Sequence, residues 1–257
     1  MLEQLPRPVI FAHRGASAHA PENTLPAFEL AIRQNADAIE LDAALCGDGQ
    51  VVVFHDGSVD RTTDGQGLIK DLTLDALREL DAGSYFDESF RGVGIPTLGE
   101  VFEAVGGKTI INIEIKNYAS PLDDLPEFIA KLVSHHNLAD RVLFSSFNPI
   151  ALNRIHKLMP DVPIGLLTVA GIGGALVRSI LGGWIPHQAL HPSLQNVSHK
   201  LIQNQHRRGR RVHVYTVNHP EDITRLCRWN VDGIFTDDPL LARRTIEAAQ
   251  NAEDPTP

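Results

Sequence analysis

The chain has 257 residues, 43% of them apolar and 21% charged, a globular balance met by one barrel of about 250 residues or by two domains of roughly 150. Its 23 basic and 32 acidic side chains leave a formal charge of −9, which argues against nucleic-acid binding and polybasic membrane docking, because both need clustered positive charge. Cys46 and Cys227 are the two cysteines, too few for a disulfide framework or a thiolate zinc site.

The first eight residues lack the basic and apolar regions of a secretory signal, so a cytoplasmic protein with no stable membrane insertion is expected. Beyond them, short apolar runs alternate with stretches of helical periodicity, the pattern of βα units around a parallel sheet. The runs are Pro8–His13, Ala38–Ala43, Val51–His55, Ile110–Ile115, Arg141–Ser145, Pro163–Thr168, His187–His191, Arg211–Val217 and Asp232–Thr236. Helices are predicted at Thr24–Gln34, Leu98–Val105, Asp123–His136, Pro149–Leu158, Val197–Arg208, Pro220–Trp229 and Pro239–Ala249. Nine runs are one too many for a TIM-type (β/α)8 barrel. The misfit is Val51–His55, because eight residues separate it from Asp42, fewer than the roughly 10 to 12 a parallel crossover needs. Asp48-Gly49 between β-like flanks instead signals a two-residue hairpin, with Asp42 opposite His55 and Ala44 opposite Val53. With that run folded back, eight strands remain in a single barrel domain spanning residues 1–257. Residues 56–97, polar turns with one short helical piece at Thr73–Leu80, read as a small insertion capping the catalytic face.

Barrels of this type carry their functional groups where strands end and βα loops begin. The first run ends in His13-Arg14-Gly15, the second places Glu40 and Asp42 two residues apart, the hairpin adds His55-Asp56, and the third barrel strand spaces Glu114 and Lys116 by two. Strand alternation sends Ile39, Leu41, Ile113 and Ile115 toward the helices, leaving Glu40, Asp42, Glu114 and Lys116 inside the barrel. Three inward carboxylates against one ammonium are costly without compensation. One hard divalent cation, Mg²⁺ or Ca²⁺, resolves the conflict, since oxygen ligands suit either ion. Two histidines beside such a site suit acid-base work near neutrality, and Arg14 and Lys116 suit an anion such as phosphate. Together these groups are equipment for cleaving a phosphodiester.

The motifs Ala12-His-Arg-Gly15, Pro21-Glu-Asn-Thr24, Glu40-Leu-Asp42, Phe54-His-Asp56, Asp60-Arg-Thr-Thr-Asp-Gly65, Glu114-Ile-Lys116, Ser145-Ser-Phe147, Val214-Tyr-Thr-Val-Asn218 and Val231-Asp-Gly-Ile-Phe-Thr-Asp237 occur in an order and spacing that resembles the glycerophosphodiester phosphodiesterase family, specifically its bacterial cytosolic members. The resemblance runs over nearly the whole chain. It implies a TIM-type barrel with an insertion, and hydrolysis of small-molecule glycerophosphodiesters to sn-glycerol 3-phosphate and an alcohol with Mg²⁺ or Ca²⁺. It further implies Glu40, Asp42 and Glu114 as metal ligands, His13 and His55 as the acid-base pair, and Arg14 and Lys116 as phosphate holders. Where many members carry tryptophan before Thr-Val-Asn, this chain has Tyr215, which keeps an aromatic wall over the glycerol. A lysophospholipase D or phospholipase C-like lyase on the same barrel is the alternative within enzymes, and a non-catalytic binder of glycerol phosphates is the alternative outside them. Homo-oligomerisation is left open.

Other features rank lower. Asn23 orients the first loop, and Thr24 is a helix start. Ser146 and Asn148 fit substrate contact and turn chemistry equally. Arg207-Arg-Gly-Arg-Arg211 precedes a strand and reads as a solvated helix end on the far face, and His135-His136 reads as a surface pair. The glycine-rich segment Val169–Ile185, with five glycines and Arg178, is too short and interrupted for a spanning helix of about 20 residues. It reads as a loop and packed helix, or as a lip that meets acyl chains.

Overall fold

The computed structural model describes residues 2–169 and 186–253. Eight parallel strands close into a barrel with helices between them: β1 Val9–Ala12, β2 Ala38–Leu45, β4 Ile110–Ile115, β5 Val142–Ser146, β6 Ile164–Thr168, β7 Ala189–Pro192, β8 Arg211–Val214 and β9 Gly233–Thr236. Pairing of β1 with both β2 and β9 closes the cylinder. The ninth strand, β3 Val51–Val53, hangs antiparallel on β2. The helices of the described residues are α1 Leu25–Arg33, α2 Leu74–Arg78, α3 Leu98–Val105, α4 Leu125–His135, α5 Pro149–Leu158, α6 His199–His206, α7 Pro220–Arg228 and α8 Pro239–Glu253. None of them is long and apolar enough to cross a membrane. The lip expected at Val169–Ile185 lies, apart from Val169, outside the described residues.

Sequence chemistry sets the helix starts. Thr24 accepts the Ala27 N–H at the head of α1, and Thr97 and Glu100 form a reciprocal capping box at α3, each satisfying N–H groups that a first turn leaves without partners. Strand alternation divides the side chains as expected. Ile39, Leu41, Ile113 and Ile115 are fully buried with Phe28, Leu98 and Phe102 between sheet and helices. Inside the barrel, Val9, Phe11, Ala38, Leu143, Ala189 and Phe235 pack with Leu2 and Leu5.

Two expectations need correcting. The hairpin pairs Ala43 with Val53, Ala44 with Val52 and Leu45 with Val51, one residue off the predicted register. Asp48 is why: its carboxylate accepts the Cys46 thiol and the Leu74 N–H, drawing the tip toward α2, and the turn widens around Gly49 at φ +79, a left-handed conformation glycine adopts without strain. Phe54, not His55, therefore stands against Asp42, donating its N–H to the Asp42 carbonyl at 2.8 Å. The second correction concerns Arg211, which is buried rather than part of a solvated helix end. Its guanidinium donates to the carbonyls of Leu2 and Pro6 and faces Asp232 at 3.6 Å, tying the N-terminal segment across the floor of the barrel. Arg207 and Arg208 are exposed as expected.

The insertion residues fold over their own apolar cluster, in which Val59, Ile69, Leu77, Ala82 and Ile95 pack against Val52 and Phe54 of the hairpin. The predicted helical piece there is α2, shorter than Thr73–Leu80 and capped by Thr73, whose hydroxyl accepts the Ala76 N–H.

Candidate active site

The strands deliver most of the sequence-predicted residues to one cavity of about 220 Å³ at the carboxyl ends of the strands, lined by His13, Arg14, Glu40, His55, Glu114, Lys116 and Tyr215. Asp42 sits just behind that lining, 1% exposed. The loop after β1 holds its shape through Arg14 at φ +57 and Gly15 at φ +85. A β-carbon on Gly15 would lie 2.7 Å from the Ala27 backbone, so only glycine lets this loop press against α1.

Register brings the carboxylates together. Asp42 pairs with Glu114 across β2 and β4, and Glu40 lies one inward position lower, so one oxygen from each of Glu40, Asp42 and Glu114 falls within 4.8 Å of the others. Burial, then repulsion from Asp42 and Glu114, pushes the Glu40 carboxyl well above its usual range. Asp42 is equally buried, yet Lys116, Arg14, His55 and Asn23 outweigh burial and hold it below. Lys116 Nζ lies 3.6 Å from Asp42 Oδ1 and 3.3 Å from Glu114 Oε1. Asp42 Oδ1 is buried without a hydrogen-bond donor. An orphaned carboxylate oxygen within a trio of hard oxygen donors fits a divalent cation of the Mg²⁺ or Ca²⁺ kind.

Both histidines are tethered alike. His13 Nδ1 lies 2.7 Å from Oδ1 of Asp237, and His55 Nδ1 lies 2.6 Å from Oδ1 of Asp56. Burial works against ionising Asp56, but hydrogen bonds from Arg61 and His55 prevail and hold it down at about 2. Burial likewise opposes ionisation of Asp237, and His13, Asn218 and Ser17 reverse it. Ionised carboxylates only accept hydrogen bonds, so each Nδ1 carries a proton and each neutral ring offers Nε2 as the acceptor.

Arg14 is more committed than a free phosphate fork. Its backbone N–H donates to Glu40 Oε2 at 2.8 Å and its Nη1 to Glu22 Oε1 at 2.8 Å, while Arg61 bridges the same Glu22 to Asp56. Charges thus run from Arg14 through Glu22 and Arg61 to the His55 dyad. Asn23, buried at φ +58, donates from Nδ2 to Asp42 Oδ2 at 2.8 Å and accepts the Asp42 N–H at 3.2 Å, so it orients the Asp42 carboxylate as well as the loop. Ser146 and Asn148 go to turn chemistry: Ser146 donates to the Ile115 carbonyl, and Asn148 caps α5 through the Ile150 N–H. His135 and His136 stack edge to face, with His136 against Phe102.

Tyr215 belongs to an aromatic wall. Its hydroxyl donates to the Thr168 carbonyl at 2.9 Å, and its ring meets Phe147, which meets Tyr118, at centroid distances of 5.9 and 5.8 Å. The motifs contain Glu22, Arg61, Phe147 and Asp237 without giving them a role, and Tyr118 lies outside them. Tyr118 donates its hydroxyl to Glu114 Oε1 at 2.6 Å, and Lys116 lies 5.1 Å from its ring centre. Its place two residues past Lys116 was the available signal. Asp237, 224 residues from His13, closes the motif Val231-Asp-Gly-Ile-Phe-Thr-Asp237, which carries no sign of its partner.

Residues 13–241 match the Glycerophosphoryl diester phosphodiesterase family. The chain is 41% identical over 232 residues to a glycerophosphodiester phosphodiesterase of Caldanaerobacter subterraneus subsp. tengcongensis, covering 90% of this chain and 94% of that one. It is 38% identical over 242 residues to one of Bacillus altitudinis, covering 93% and 98%. Among solved structures it superposes with a TM-score of 0.85 and 30% identity on an Oleispira antarctica phosphodiesterase in complex with the product sn-glycerol-3-phosphate, covering 94% of this chain and 97% of that one.

Proposed function

This chain belongs to the glycerophosphoryl diester phosphodiesterase family and is a glycerophosphodiester phosphodiesterase, and we propose that it hydrolyses its substrates to sn-glycerol 3-phosphate and an alcohol through His13, His55 and a cation held by Glu40, Asp42 and Glu114. What carries this reading is the pair of Nδ1-tethered histidines beside one carboxylate trio, of which Glu40 and Asp42 are buried. A bound Mg²⁺ or Ca²⁺ would polarise a phosphoryl oxygen and offset the charge of its three ligands.

The chain's own residues supply the rest. Arg14 and Lys116 face the cavity with positive charge and hold the phosphate, while Phe147 and Tyr215 form the apolar wall that the glycerol carbons pack against. One histidine, neutral, takes a proton on Nε2 from the attacking water. The other, protonated, gives its Nε2 proton to the departing alkoxide. Asp56 and Asp237 fix both rings and stabilise whichever is cationic. No disulfide joins the two cysteines, which suits a reducing compartment such as the cytoplasm.

Incubation with glycerophosphocholine and Mg²⁺ or Ca²⁺, followed by phosphorus NMR, tests the reading. Glycerol 3-phosphate as the accumulating phosphorus product supports it, and a persistent cyclic ester would assign a lyase instead.

A further inference from the structure

A second cavity, of about 390 Å³, adjoins the catalytic one and shares His55 and Lys116 with it as common walls. It opens between the insertion, through Leu68, Ile69 and Lys70, and the loop after β4, through Asn117, Tyr118 and Ala119. Leu45 of β2 backs it, and Leu68 and Tyr118 stand at its opposite sides 43% and 39% exposed. Large apolar side chains facing solvent across a chamber that joins a reaction centre mark a place where ligand carbon is buried.

The charges around it are unequal in availability. Of its two carboxylates, Asp56 is held by His55 and Arg61, and Asp123 accepts from Asn117 Nδ2 at 3.0 Å and from the Leu125 N–H. Asp56 is thereby paired with a cationic partner, and Asp123, whose bonds come from neutral N–H groups to Oδ1 alone, shares the chamber with the ammonium of Lys70, exposed at the rim.

On the other flank, a cavity of about 430 Å³ shares His13 and Arg14 with the catalytic one. Its lining there adds five polar residues, Ser17, Glu22, Asn218, Asp237 and Asp238, to the apolar Ala18 and Leu241. The reaction centre thus has a more polar side at His13 and a more apolar side at His55. In-line displacement at phosphorus puts nucleophile and leaving group on opposite faces.

We propose that the Leu45–Leu68–Tyr118–Ala119 chamber receives the alcohol moiety of the substrate and selects alcohols with an uncharged, apolar stem over cationic ones. The proposal rests on the phosphodiesterase reading above. As the water oxygen bonds to phosphorus, its proton passes to His13 Nε2. As the bond from phosphorus to the alcohol oxygen breaks, that oxygen takes the proton from His55 Nε2 and the alcohol departs through the chamber.

The test is a series of glycerophospho-n-alkanols from ethyl to octyl, with glycerophosphocholine and its uncharged carbon isostere alongside, assayed with the full-length enzyme at saturating Mg²⁺. In the wild type, kcat/KM rises by up to about fourfold per methylene over the first carbons to enter the chamber, and the uncharged isostere is preferred to choline. Leu68→Asp and Ala119→Asp, on opposite walls, flatten the chain-length dependence while the ethyl ester reacts within about twofold of wild type. Lys70→Glu narrows the preference against choline. A flat series in the wild type, or a slope untouched by both aspartates, overturns the chamber as the alcohol site while the ethyl ester still turns over. Failure of every ester to release glycerol 3-phosphate would instead strike the phosphodiesterase reading beneath it.

Discussion

Nδ1 of His55 lies 2.6 Å from Oδ1 of Asp56, its neighbour in the chain, and Arg61 holds the second oxygen of that carboxylate. The acid is pinned on both sides, so the ring it addresses has one orientation and one tautomer. Asparagine in its place can donate as well as accept and admits the wrong tautomer. Asp56→Asn and Asp237→Asn are each expected to lower kcat by on the order of 10² to 10⁴-fold with KM within about threefold of wild type. A loss confined to KM in steady-state kinetics would show that these carboxylates position substrate rather than the rings.

The two histidines should separate by leaving group. An aryl alcohol departs without needing a proton, whereas an alkyl alcohol needs one. With His55 on the alcohol side, His55→Ala recovers activity on an aryl ester of glycerol phosphate far more than His13→Ala does, by on the order of 10²-fold. Equal recovery, or recovery in His13→Ala alone, would place the acid elsewhere.

Asn23 touches Asp42 through both ends of its amide from a left-handed backbone position. Asn23→Gly keeps that backbone accessible and removes only the amide. The metal concentration giving half-maximal activity is expected to rise about 10 to 100-fold, as for loss of an outer-shell partner, with kcat at saturating metal largely retained. An unchanged metal requirement would make Asn23 a loop residue alone.

Much of the site is legible in the sequence because strand period and motif spacing act locally. Glu40, Asp42, Glu114 and Lys116 alternate with residues that must face helices, and their convergence follows once β2 and β4 are neighbours. The hairpin register was not legible, because it depends on Asp48 reaching the Leu74 N–H from a segment 26 residues away. The same limit hid Asp237 as the partner of His13 and Arg211 as a buried tie, since each is defined by a contact across more than 200 positions. Nor does periodicity say that Tyr118, Phe147 and Tyr215 form one wall, as they come from three separate loops.

Another pair of histidines lies deeper in the barrel. His191 Nε2 and His213 Nδ1 are 3.1 Å apart, and both rings are fully buried. Burial, with the charge of His187 adding to it, pushes His191 down to about 3. Burial, then His191, pushes His213 well below its usual range. The unfolded chain protonates both near 6.5 while the native state keeps them neutral, so between about pH 6.5 and 3 the unfolded state binds more protons. Stability, complete above pH 6.5, is therefore lost as pH falls through that window, by about 1.4 kcal/mol per pH unit for each group. Urea unfolding at pH 7 and pH 5 should show His213→Leu losing less stability on acidification than wild type by one such group. An identical pH slope would mean these histidines do not govern acid sensitivity.

If Glu40, Asp42 and Glu114 tolerate one another by holding a divalent cation, calorimetric titration of the metal-free protein with Mg²⁺ and Ca²⁺ reads that binding without reference to turnover. One site per chain is predicted, with affinity falling beyond about 100-fold, past the range for outer-shell partners, in Asp42→Asn and Glu114→Gln variants that remain folded. Binding unchanged by both substitutions, or no binding heat for either ion in the wild type, would contradict it.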